Sequence, residues 1–352
     1  MNFAIGVDLG GTNLRIAAVS EQGELLEKVT TSTKVSLGRT AVINEMTEAI
    51  KEVAAKFGVP HRLLGVGIGV PGIVDTNKGV LRKSPNLPGW NDYPVQDEIE
   101  RRLGTPVLLE NDANVAAVGE AWLGAARGSQ SLCMITLGTG VGGGIVSDGR
   151  VWHGINGMAG ELGHMNIDPT GPDCGCGSCG CVEQFASATA VVRMAREAIA
   201  SGHAPELARA ASSDAEFNAR AVHNLAMQGD KPAQEIFRKM GWALGLLIAD
   251  LVNVLNLHVY VIGGGVASAW ESFAPALFEE VQRRSFVYAA TAPDEVAAAA
   301  VAKGGSSAKL RPIVESPCTV ITRALLGSDA GLFGAARLPM QAREHTQRYS
   351  WG

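Results

Sequence analysis

Apolar and polar positions along the chain predict alternating strands and helices after an opening group of three strands. Short apolar runs at residues 5–9, 13–19 and 25–33 are separated by glycine-containing turns, which predicts an antiparallel meander. Apolar residues at helical spacing predict a helix over 39–57, with Gly58 at its end. A strand over 64–70, a polar loop after Pro71-Gly72, a helix over 95–103 and a strand over 106–109 follow. This order is typical of an α/β domain.

A second region repeats the pattern of the first. An alanine-rich helix is predicted over 113–126, and a strand over 131–137 enters a glycine turn and leaves it as a strand at 145–146. Further helices are predicted over 188–201, 214–228 and 232–256, with a strand over 258–262. The stretch 288–309, rich in alanine and glycine, is interpreted as an insertion or mobile loop. The weak repeat predicts two similar α/β lobes that face a cleft.

Composition excludes several classes of protein. Of the 352 residues, 46% are hydrophobic and 18% are charged, which predicts a globular chain, and the length predicts two domains. The net charge of −5 and the lack of a basic run argue against nucleic acid and anionic membranes as partners. The first residues lack a secretory signal, and no apolar stretch reaches the length of about 20 residues that a membrane span needs. A cytoplasmic protein is therefore expected.

Glycine, at 43 residues, exceeds its usual share of about 7%, and two glycine turns have the features of phosphate-binding loops. The first is Asp8-Leu-Gly10-Gly11-Thr12-Asn13, and the second begins Gly138-Thr139-Gly140. Bare backbone N–H groups and a threonine hydroxyl at a strand end can surround phosphate oxygens, although a tight hairpin without a ligand is the alternative. Neither turn fits the dinucleotide fingerprint or the P-loop. Because the Asp8 carboxylate suits Mg²⁺ held through water, a nucleoside triphosphate with magnesium is predicted.

A third glycine turn, Gly263-Gly264-Gly265, ends the strand predicted over 258–262. Glycines at the carboxyl end of a strand allow the close approach of a ribose or a flat ring. Packing of Gly265 against a neighbouring helix is an equal alternative.

Asp112 is the candidate for acid–base chemistry. It follows a predicted strand, is flanked by Asn111 and Asn114, and precedes the alanine-rich helix. A carboxylate at a strand end can accept the proton of an attacking alcohol, as phosphoryl transfer requires. An ordinary N-cap for the helix at Ala113 is the alternative, which the residues alone favour.

Four of the six cysteines lie from Cys174 to Cys181, which predicts a metal site. The motif Glu161-Leu-Gly-His164 precedes them. One histidine with three thiolates is a closed tetrahedral zinc set, four cysteines are the rival set, and a redox switch is a third alternative. A closed set leaves no position for water, so the zinc is predicted to be structural. It would fix the loop that carries Glu161, His164 and Glu183.

Together these motifs resemble those of the ROK family, and most closely its bacterial ATP-dependent glucokinases. The resemblance covers nearly the full chain, and its most specific part is Glu-x-Gly-His at 161–164 followed by Cys-Gly-Cys-Gly-x-x-Gly-Cys-x-Glu at 174–183. It implies an α/β, actin-like (ribonuclease H-like) ATPase fold with two lobes around a central cleft. The small lobe would comprise residues 1–113 and about 328–352, and the large lobe residues 114–327 with a zinc-binding loop at 164–181. Other matching motifs are Asp8–Asn13, Pro71-Gly72, Asn86–Trp90, Glu110–Asn114 and Gly331–Ala335.

Carried over residue by residue, the resemblance implies that Asp112 is the general base on the sugar hydroxyl, against the N-cap alternative. The residues implied to hold the sugar are Gly72, Asn86, Asn111, Asp112, Glu161, His164 and Glu183. The nucleotide-binding candidates are those of the three turns: Asp8, Gly10, Gly11, Thr12, Asn13, Gly138, Thr139, Gly140, Gly263, Gly264 and Gly265. The implied zinc ligands are His164, Cys174, Cys176 and Cys181, which leaves Cys179 out.

The leading hypothesis is ATP-dependent phosphorylation of a hexose at its 6-hydroxyl, with glucose as the first choice and ATP, Mg²⁺ and structural Zn²⁺ as cofactors. Kinases of N-acetylmannosamine, N-acetylglucosamine, fructose or allose share most of these residues and are alternatives. The family's transcription regulators carry a helix-turn-helix ahead of the first turn, which here begins at residue 8, and a chaperone or polymerising ATPase would not need the zinc loop. Relatives are commonly dimers, so a homodimer is expected. The stretch 288–309 and the tail 338–352 depart from the family's pattern.

Overall fold

The computed structural model describes residues 1–213, 217–294 and 318–349. Its strands are β1 (Asn2–Leu9), β2 (Asn13–Ser20), β3 (Leu25–Ser32), β4 (Arg62–Val70), β5 (Ile73–Asp75), β6 (Val80–Lys83), β7 (Val107–Asn111), β8 (Leu132–Leu137), β9 (Val141–Ser147), β10 (Arg150–Val151), β11 (Val259–Gly263) and β12 (Val320–Arg323). Its helices are α1 (Arg39–Ala55), α2 (Val95–Leu103), α3 (Asp112–Trp122), α4 (Glu183–Ala186), α5 (Ala188–Ala200), α6 (Pro205–Ser213), α7 (Ala219–Met227), α8 (Lys231–Leu255), α9 (Trp270–Arg284), α10 (Phe286–Thr291) and α11 (Ala330–Tyr349).

The described chain forms two compact units. Unit 1 comprises Met1–Met134, Gly144–Ala159 and the residues from Ser328 onward, and unit 2 comprises Ile135–Gly143 and the described part of Gly160–Gly327. Helix α3 and residues 144–159 lie in unit 1, whereas the sequence-based division assigns residues from 114 to 327 to the large lobe. The predicted division into two lobes around a cleft stays a prediction.

The first sheet has the order β3-β2-β1-β4-β7, with β1 antiparallel to β2 and parallel to β4. Alternate residues of β1 face opposite sides of the sheet because side chains on a strand repeat every two positions. Phe3, Ile5 and Val7 are buried in the core that also contains the apolar faces of α1 and α2. Ala4 lies on the other side, in a smaller cluster with residues of α11.

Helix α11 packs so closely against its neighbours that glycines are needed at the points of contact. A Cβ placed on Gly67 of β4 would lie 1.9 Å from the carbonyl oxygen of Ala335 in α11. At the contact between α11 and α3, a Cβ on Gly334 of α11 would lie 1.6 Å from the carbonyl oxygen of Val115 in α3. Helix α11 is therefore wedged against both the sheet and α3, the helix that begins at Asp112.

The second sheet has the order β10-β9-β8-β11-β12, with β9 and β10 antiparallel and β11 and β12 parallel. Helices α8 and α9 of unit 2 pack together through a close contact, since a Cβ on Gly241 would lie 2.2 Å from the Phe273 carbonyl oxygen. None of the helices in the described ranges combines the length and hydrophobicity of a bilayer span.

Several predicted elements differ from the structure. The polar loop after Pro71-Gly72 contains the hairpin β5–β6, the helix predicted over 113–126 ends at Trp122, and residues 141–144 belong to strand β9 rather than to the glycine turn. Within 288–309, residues 288–291 belong to α10 and residues 295–309 lie outside the described ones, as do 214–216 of the helix predicted over 214–228. The tail is helical as far as Tyr349.

Candidate active site and metal centre

The turn between β1 and β2 presents the first predicted phosphate-binding residues. The Gly10 N–H donates to the Asn13 carbonyl oxygen at 2.9 Å, and the Thr33 hydroxyl donates to the Gly10 carbonyl oxygen at 2.8 Å. These bonds close the turn, while Gly11, Thr12 and Asn13 are exposed. Exposed backbone held in a fixed turn suits phosphate oxygens, so this loop fits the predicted role.

Asp8 has a partner that the sequence analysis missed. Arg15 lies opposite Asp8 in the β1–β2 register, and its guanidinium donates to the Asp8 carboxylate and to the Ser328 carbonyl oxygen. Burial raises the pKa of the Asp8 carboxyl, the Arg15 guanidinium opposes that rise, and Asp329 adds to it. A Mg²⁺ ion held through water would therefore share Asp8 with Arg15. The register of the β1–β2 hairpin could have revealed this pair, because it places residues 8 and 15 opposite each other.

Asp112 lies at the start of α3, directly after β7. The Asn111 side-chain oxygen accepts hydrogen bonds from the N–H groups of Ala113 and Asn114 at 2.9 and 3.2 Å, so Asn111 is the N-cap. The alternative in which Asp112 is the N-cap is wrong. Asp112 is the first helical residue, and its Oδ1 accepts from the Ala113 N–H at 2.8 Å. The cap therefore does not depend on the acidic side chain.

Gly72 lies beside this junction in unit 1, and Asn86 lies beside the first glycine turn of the same unit. The Asn111 Nδ2 donates to the Gly72 carbonyl oxygen at 3.0 Å. Gly72 has a φ of 117°, and a Cβ on it would lie 2.2 Å from the Lys83 carbonyl oxygen, so only glycine fits. The exposed Asn86 contacts the first turn, because its Cβ lies 3.3 Å from the place of a Cβ on Gly11. The structure thus pairs Asn111 with Gly72, and it places Asn86 against the first glycine turn.

Glu110 and His153 also meet at this junction, and the sequence analysis assigned neither of them a role. The Glu110 Oε1 accepts from the Asn111 N–H at 2.8 Å and from the Asn114 Nδ2 at 2.9 Å, and its Oε2 lies 2.6 Å from the His153 Nε2. The hydrogen bond to Glu110 raises the pKa of His153, and burial opposes that rise. The two residues are 43 positions apart, so local sequence patterns could not reveal the pair. The sequence signal for a buried partner was an acidic residue, Glu110, directly after the apolar residues of strand β7.

In unit 2 the second glycine turn contacts a residue predicted to bind the sugar. The Glu183 Oε2 accepts a hydrogen bond from the Val141 N–H at 2.9 Å, and a Cβ on Gly140 would lie 2.4 Å from the same oxygen. The Thr139 carbonyl oxygen accepts from the Thr189 hydroxyl at 2.8 Å. The turn is therefore tied to both α4 and α5, and it limits where the Glu183 carboxylate can lie.

The third glycine turn lies next to the second. Gly264 has a φ of 88°, and a Cβ on it would lie 2.4 Å from the carbonyl oxygen of Leu137, the residue before Gly138. Two predicted nucleotide-binding turns of unit 2 are thus adjacent. A Cβ on Gly265 would meet nothing within 4 Å, so the alternative in which Gly265 packs against a helix is wrong.

Four predicted metal ligands come together. One ligand atom from each of His164, Cys174, Cys176 and Cys181 lies within 4.8 Å of the others. The Cys176 and Cys181 sulfurs are 3.7 Å apart, and the Cys174 sulfur is 3.6 Å from the His164 Nδ1. Zinc bonds of about 2.0–2.3 Å in a tetrahedron give ligand separations of about 3.5–3.8 Å. The residues therefore fit a closed zinc site in size and in chemistry.

Cys179 lies outside this group. Its thiol donates to the Pro169 carbonyl oxygen at 3.3 Å, which favours the one-histidine set over the four-cysteine set. Hydrogen bonding by the Ser178 backbone lowers the pKa of Cys176, and burial raises the pKa of Cys181 to about 12. A cation would hold both as thiolates.

Glu161 is positioned by the same short segment that supplies His164. It precedes a 3-10 turn at Leu162–His164 and is exposed. A Cβ on Gly163 would lie 2.2 Å from the Val141 carbonyl oxygen, so the turn rests directly on β9. An ion bound by His164 would therefore also restrain Glu161.

Comparison with known proteins assigns this fold and site to a class. A model described as the ROK family matches residues 4–309. The chain belongs to the ROK family, and it has the actin-like ATPase fold of that family's sugar kinases, which confirms the predicted fold class. The crystal structure of the ROK hexokinase from Thermus thermophilus matches with 33% identity and a TM-score of 0.76, covering 97% of this chain and 99% of that one.

The more particular matches are to glucokinases. The glucokinase of Thermotoga maritima is 42% identical over 277 residues, which is 79% of this chain and 86% of the relative. The structure of a ROK family glucokinase from Streptomyces griseus in complex with glucose and AMPPNP matches with 32% identity and a TM-score of 0.74, covering 96% of this chain and 99% of that one.

Proposed function

We propose that this protein is a glucokinase that transfers the γ-phosphoryl group of ATP to the 6-hydroxyl of glucose. The observation that carries the proposal is Asp112 at the start of α3, directly after Asn111, which caps the helix and donates to the Gly72 carbonyl oxygen. The glucokinase relatives support the same substrate pair. We also propose residues 10–13, 138–140 and 263–265 as nucleotide-binding turns, since each ends a strand in backbone that fits phosphate or ribose.

The reaction needs a base and a fixed line of attack. The Asp112 carboxylate accepts the proton of the 6-hydroxyl as that oxygen attacks the γ-phosphorus, and the bond to the oxygen that bridges the β- and γ-phosphates breaks. Glu161 and Glu183 accept hydrogen bonds from sugar hydroxyls, and the Asn86 and Asn111 amides donate to them. Backbone N–H groups of the glycine turns donate to phosphate oxygens, which places the phosphoryl group.

Two metal ions accompany this chemistry in the proposal. Mg²⁺ near Asp8 would neutralise phosphate charge. Zn²⁺ on His164, Cys174, Cys176 and Cys181 would be structural, because four protein ligands leave no open position. Its part in catalysis is indirect, through the restraint on Glu161.

The decisive experiment is Asp112→Asn. The amide keeps the size of the side chain but cannot take a proton, so we expect kcat to fall by about 10³-fold or more, while glucose binding measured by titration changes little. A coupled assay for glucose 6-phosphate gives kcat, and the unchanged binding is the control for folding. An Asp112→Asn enzyme with wild-type turnover would overturn the proposal.

The choice of hexose is tested separately. Phosphorylation assays with glucose, N-acetylmannosamine, N-acetylglucosamine, fructose and allose should give the highest kcat/KM for glucose. Polar groups that bind hydroxyls discriminate strongly against sugars lacking the matching hydroxyl. A higher kcat/KM for one of the other sugars would reassign the substrate and leave the phosphoryl-transfer chemistry intact.

Location and assembly complete the proposal. We propose a cytoplasmic enzyme, which the clustered thiols of Cys174, Cys176 and Cys181 favour because such a cluster in a reducing compartment is typical of metal binding rather than of disulfides. The homodimer expected from the family stays a prediction, and light scattering at assay concentration tests it.

A further inference from the structure

Glu110 is a buried carboxylate with hydrogen bonds from two directions. Its side chain is 5% exposed. One oxygen is occupied by the first turn of α3, through Asn111 and Asn114, and the other by the His153 ring at 2.6 Å. Removing a partner from a buried charge costs much more than the bond contributes when it is made. The position of His153 is therefore strongly constrained.

His153 belongs to a segment, residues 152–159, with few other attachments. The segment follows β10 and leads directly into Gly160 and Glu161. Its large apolar side chains face solvent, with Trp152 50%, Ile155 104% and Met158 41% exposed. The Trp152 N–H donates to the Ile145 carbonyl oxygen at 2.8 Å, and a Cβ on Gly157 would lie 2.6 Å from the Val74 carbonyl oxygen. Polar pairing, rather than an apolar core, fixes this segment.

We propose that Glu110 and His153 form a positioning pair that joins the start of α3 to the segment 152–159. Glu110 precedes Asn111 and Asp112 in the chain and is bonded to the helix turn that they begin. His153 anchors residues 152–159 through its bond to the same carboxylate. A single carboxylate thereby holds the start of α3, with the sugar-binding candidates Asn111 and Asp112, against this segment. The inference rests on the proposed function, and neither residue touches the reacting atoms in it.

The kinetic test compares His153→Ala with His153→Gln, and uses His61→Gln in the same unit as the control. The His61 ring is exposed, lies 3.0 Å from the Gly58 carbonyl oxygen and packs edge-on against the Phe57 ring, with centroids 5.9 Å apart. For His153→Ala we expect the KM for glucose to rise about tenfold and the KM for ATP to stay within about twofold. For His153→Gln, whose amide can donate to Glu110, most of the rise should disappear.

Equal rises in both KM values, an unchanged KM for glucose in His153→Ala, or no rescue by glutamine would overturn the proposal. A role in stability alone would not separate the two substrates. Circular dichroism and melting curves confirm that each variant is folded.

A second measurement does not depend on catalysis. An NMR titration of the His153 ring should show a pKa above 6.5 in the wild type and a fall in Glu110→Gln. Glu110 is the acid that faces this ring from β7, and residues 152–159 contain no other ionisable side chain. An unchanged His153 titration in Glu110→Gln would refute the pair. If the pair is present but the wild type does not phosphorylate glucose, the proposed function has failed instead.

Discussion

Gly140→Ala tests whether the second glycine turn sets the position of the Glu183 carboxylate. The new Cβ would lie 2.4 Å from the Glu183 Oε2, and ordinary contact begins near 3.4 Å, so the carboxylate must move by about 1 Å. The obstructing atom is the end of a flexible side chain, and the fold can therefore accommodate the methyl group. The methyl group displaces the Glu183 carboxylate from the position in which it accepts the Val141 N–H bond. In the proposed function the sugar hydroxyl needs the carboxylate in that same position.

The expected effect is a loss of glucose affinity with little loss of stability. A hydrogen bond to a charged group contributes about 1.5–3 kcal/mol, and about 1.4 kcal/mol corresponds to a factor of ten. The Kd for glucose should therefore rise by about 10- to 100-fold. The assay is an equilibrium titration with glucose in the absence of nucleotide, so that any effect of the turn on ATP does not enter.

Gly138→Ala is the matched comparison, since a Cβ on Gly138 would meet nothing within 4 Å. Its Kd for glucose should stay within about twofold of the wild type. Equal changes in the two variants would mean that the turn acts on glucose in a general way and not through Glu183. A Gly140→Ala variant with wild-type glucose affinity would refute the role of Glu183 in holding the sugar.

Three further predictions concern the metal, the packing of α11 and pH. Elemental analysis should find one zinc ion per chain, and Cys181→Ala should lose it together with glucose affinity; a zinc-free wild type or an unaffected variant would contradict this. Gly67→Ala should lower the free energy of unfolding in urea by about 3 kcal/mol, whereas Gly58→Ala, with open space around it, should change it by less than about 1 kcal/mol; similar losses in both would argue against the close packing. The folded-state pKa of His153 is raised, so its pairing with Glu110 should stabilise the fold fully below about pH 6.5 and lose that contribution as pH rises through the raised value. The melting-temperature difference between wild type and His153→Gln should shrink from pH 6 to pH 9, and a difference that grows would contradict the assignment.

Much of the fold could be predicted because local patterns carry it. The three-strand meander and α2, for which the predicted bounds of 95–103 match the structure, follow from alternation and helical spacing. The hairpin β5–β6 was missed because its strands of three and four residues are too short to show a period. The end of α3 was misplaced because alanine after Trp122 favours a helix, while the tertiary structure turns the chain there.

The site could be predicted in part, and each missed residue was missed because its partner is set by the tertiary fold. Motif spacing alone located the cysteine cluster, whereas the role of Asp112 as the base came from the resemblance to the family and stays a prediction. Asn111 as the N-cap, Arg15 on Asp8 and His153 on Glu110 depend on side-chain direction or on pairing between distant segments. Such pairing is decided by the tertiary fold, so periodicity and composition do not contain it.

The place of α11 in the chain has a consequence for protein synthesis. The cluster that contains Ala4 and Ala17 of the first sheet is completed by Leu332 and Ala336 of α11, which are translated about 300 residues later. At about 5–20 residues per second, roughly 15–60 s separate these events on the ribosome. During that time the part of the first sheet that α11 covers has no helix over it, and most of unit 2 is translated before α11 is complete. Defects in α11 should therefore appear first as a low yield of folded enzyme, with normal kinetic constants in the molecules that succeed.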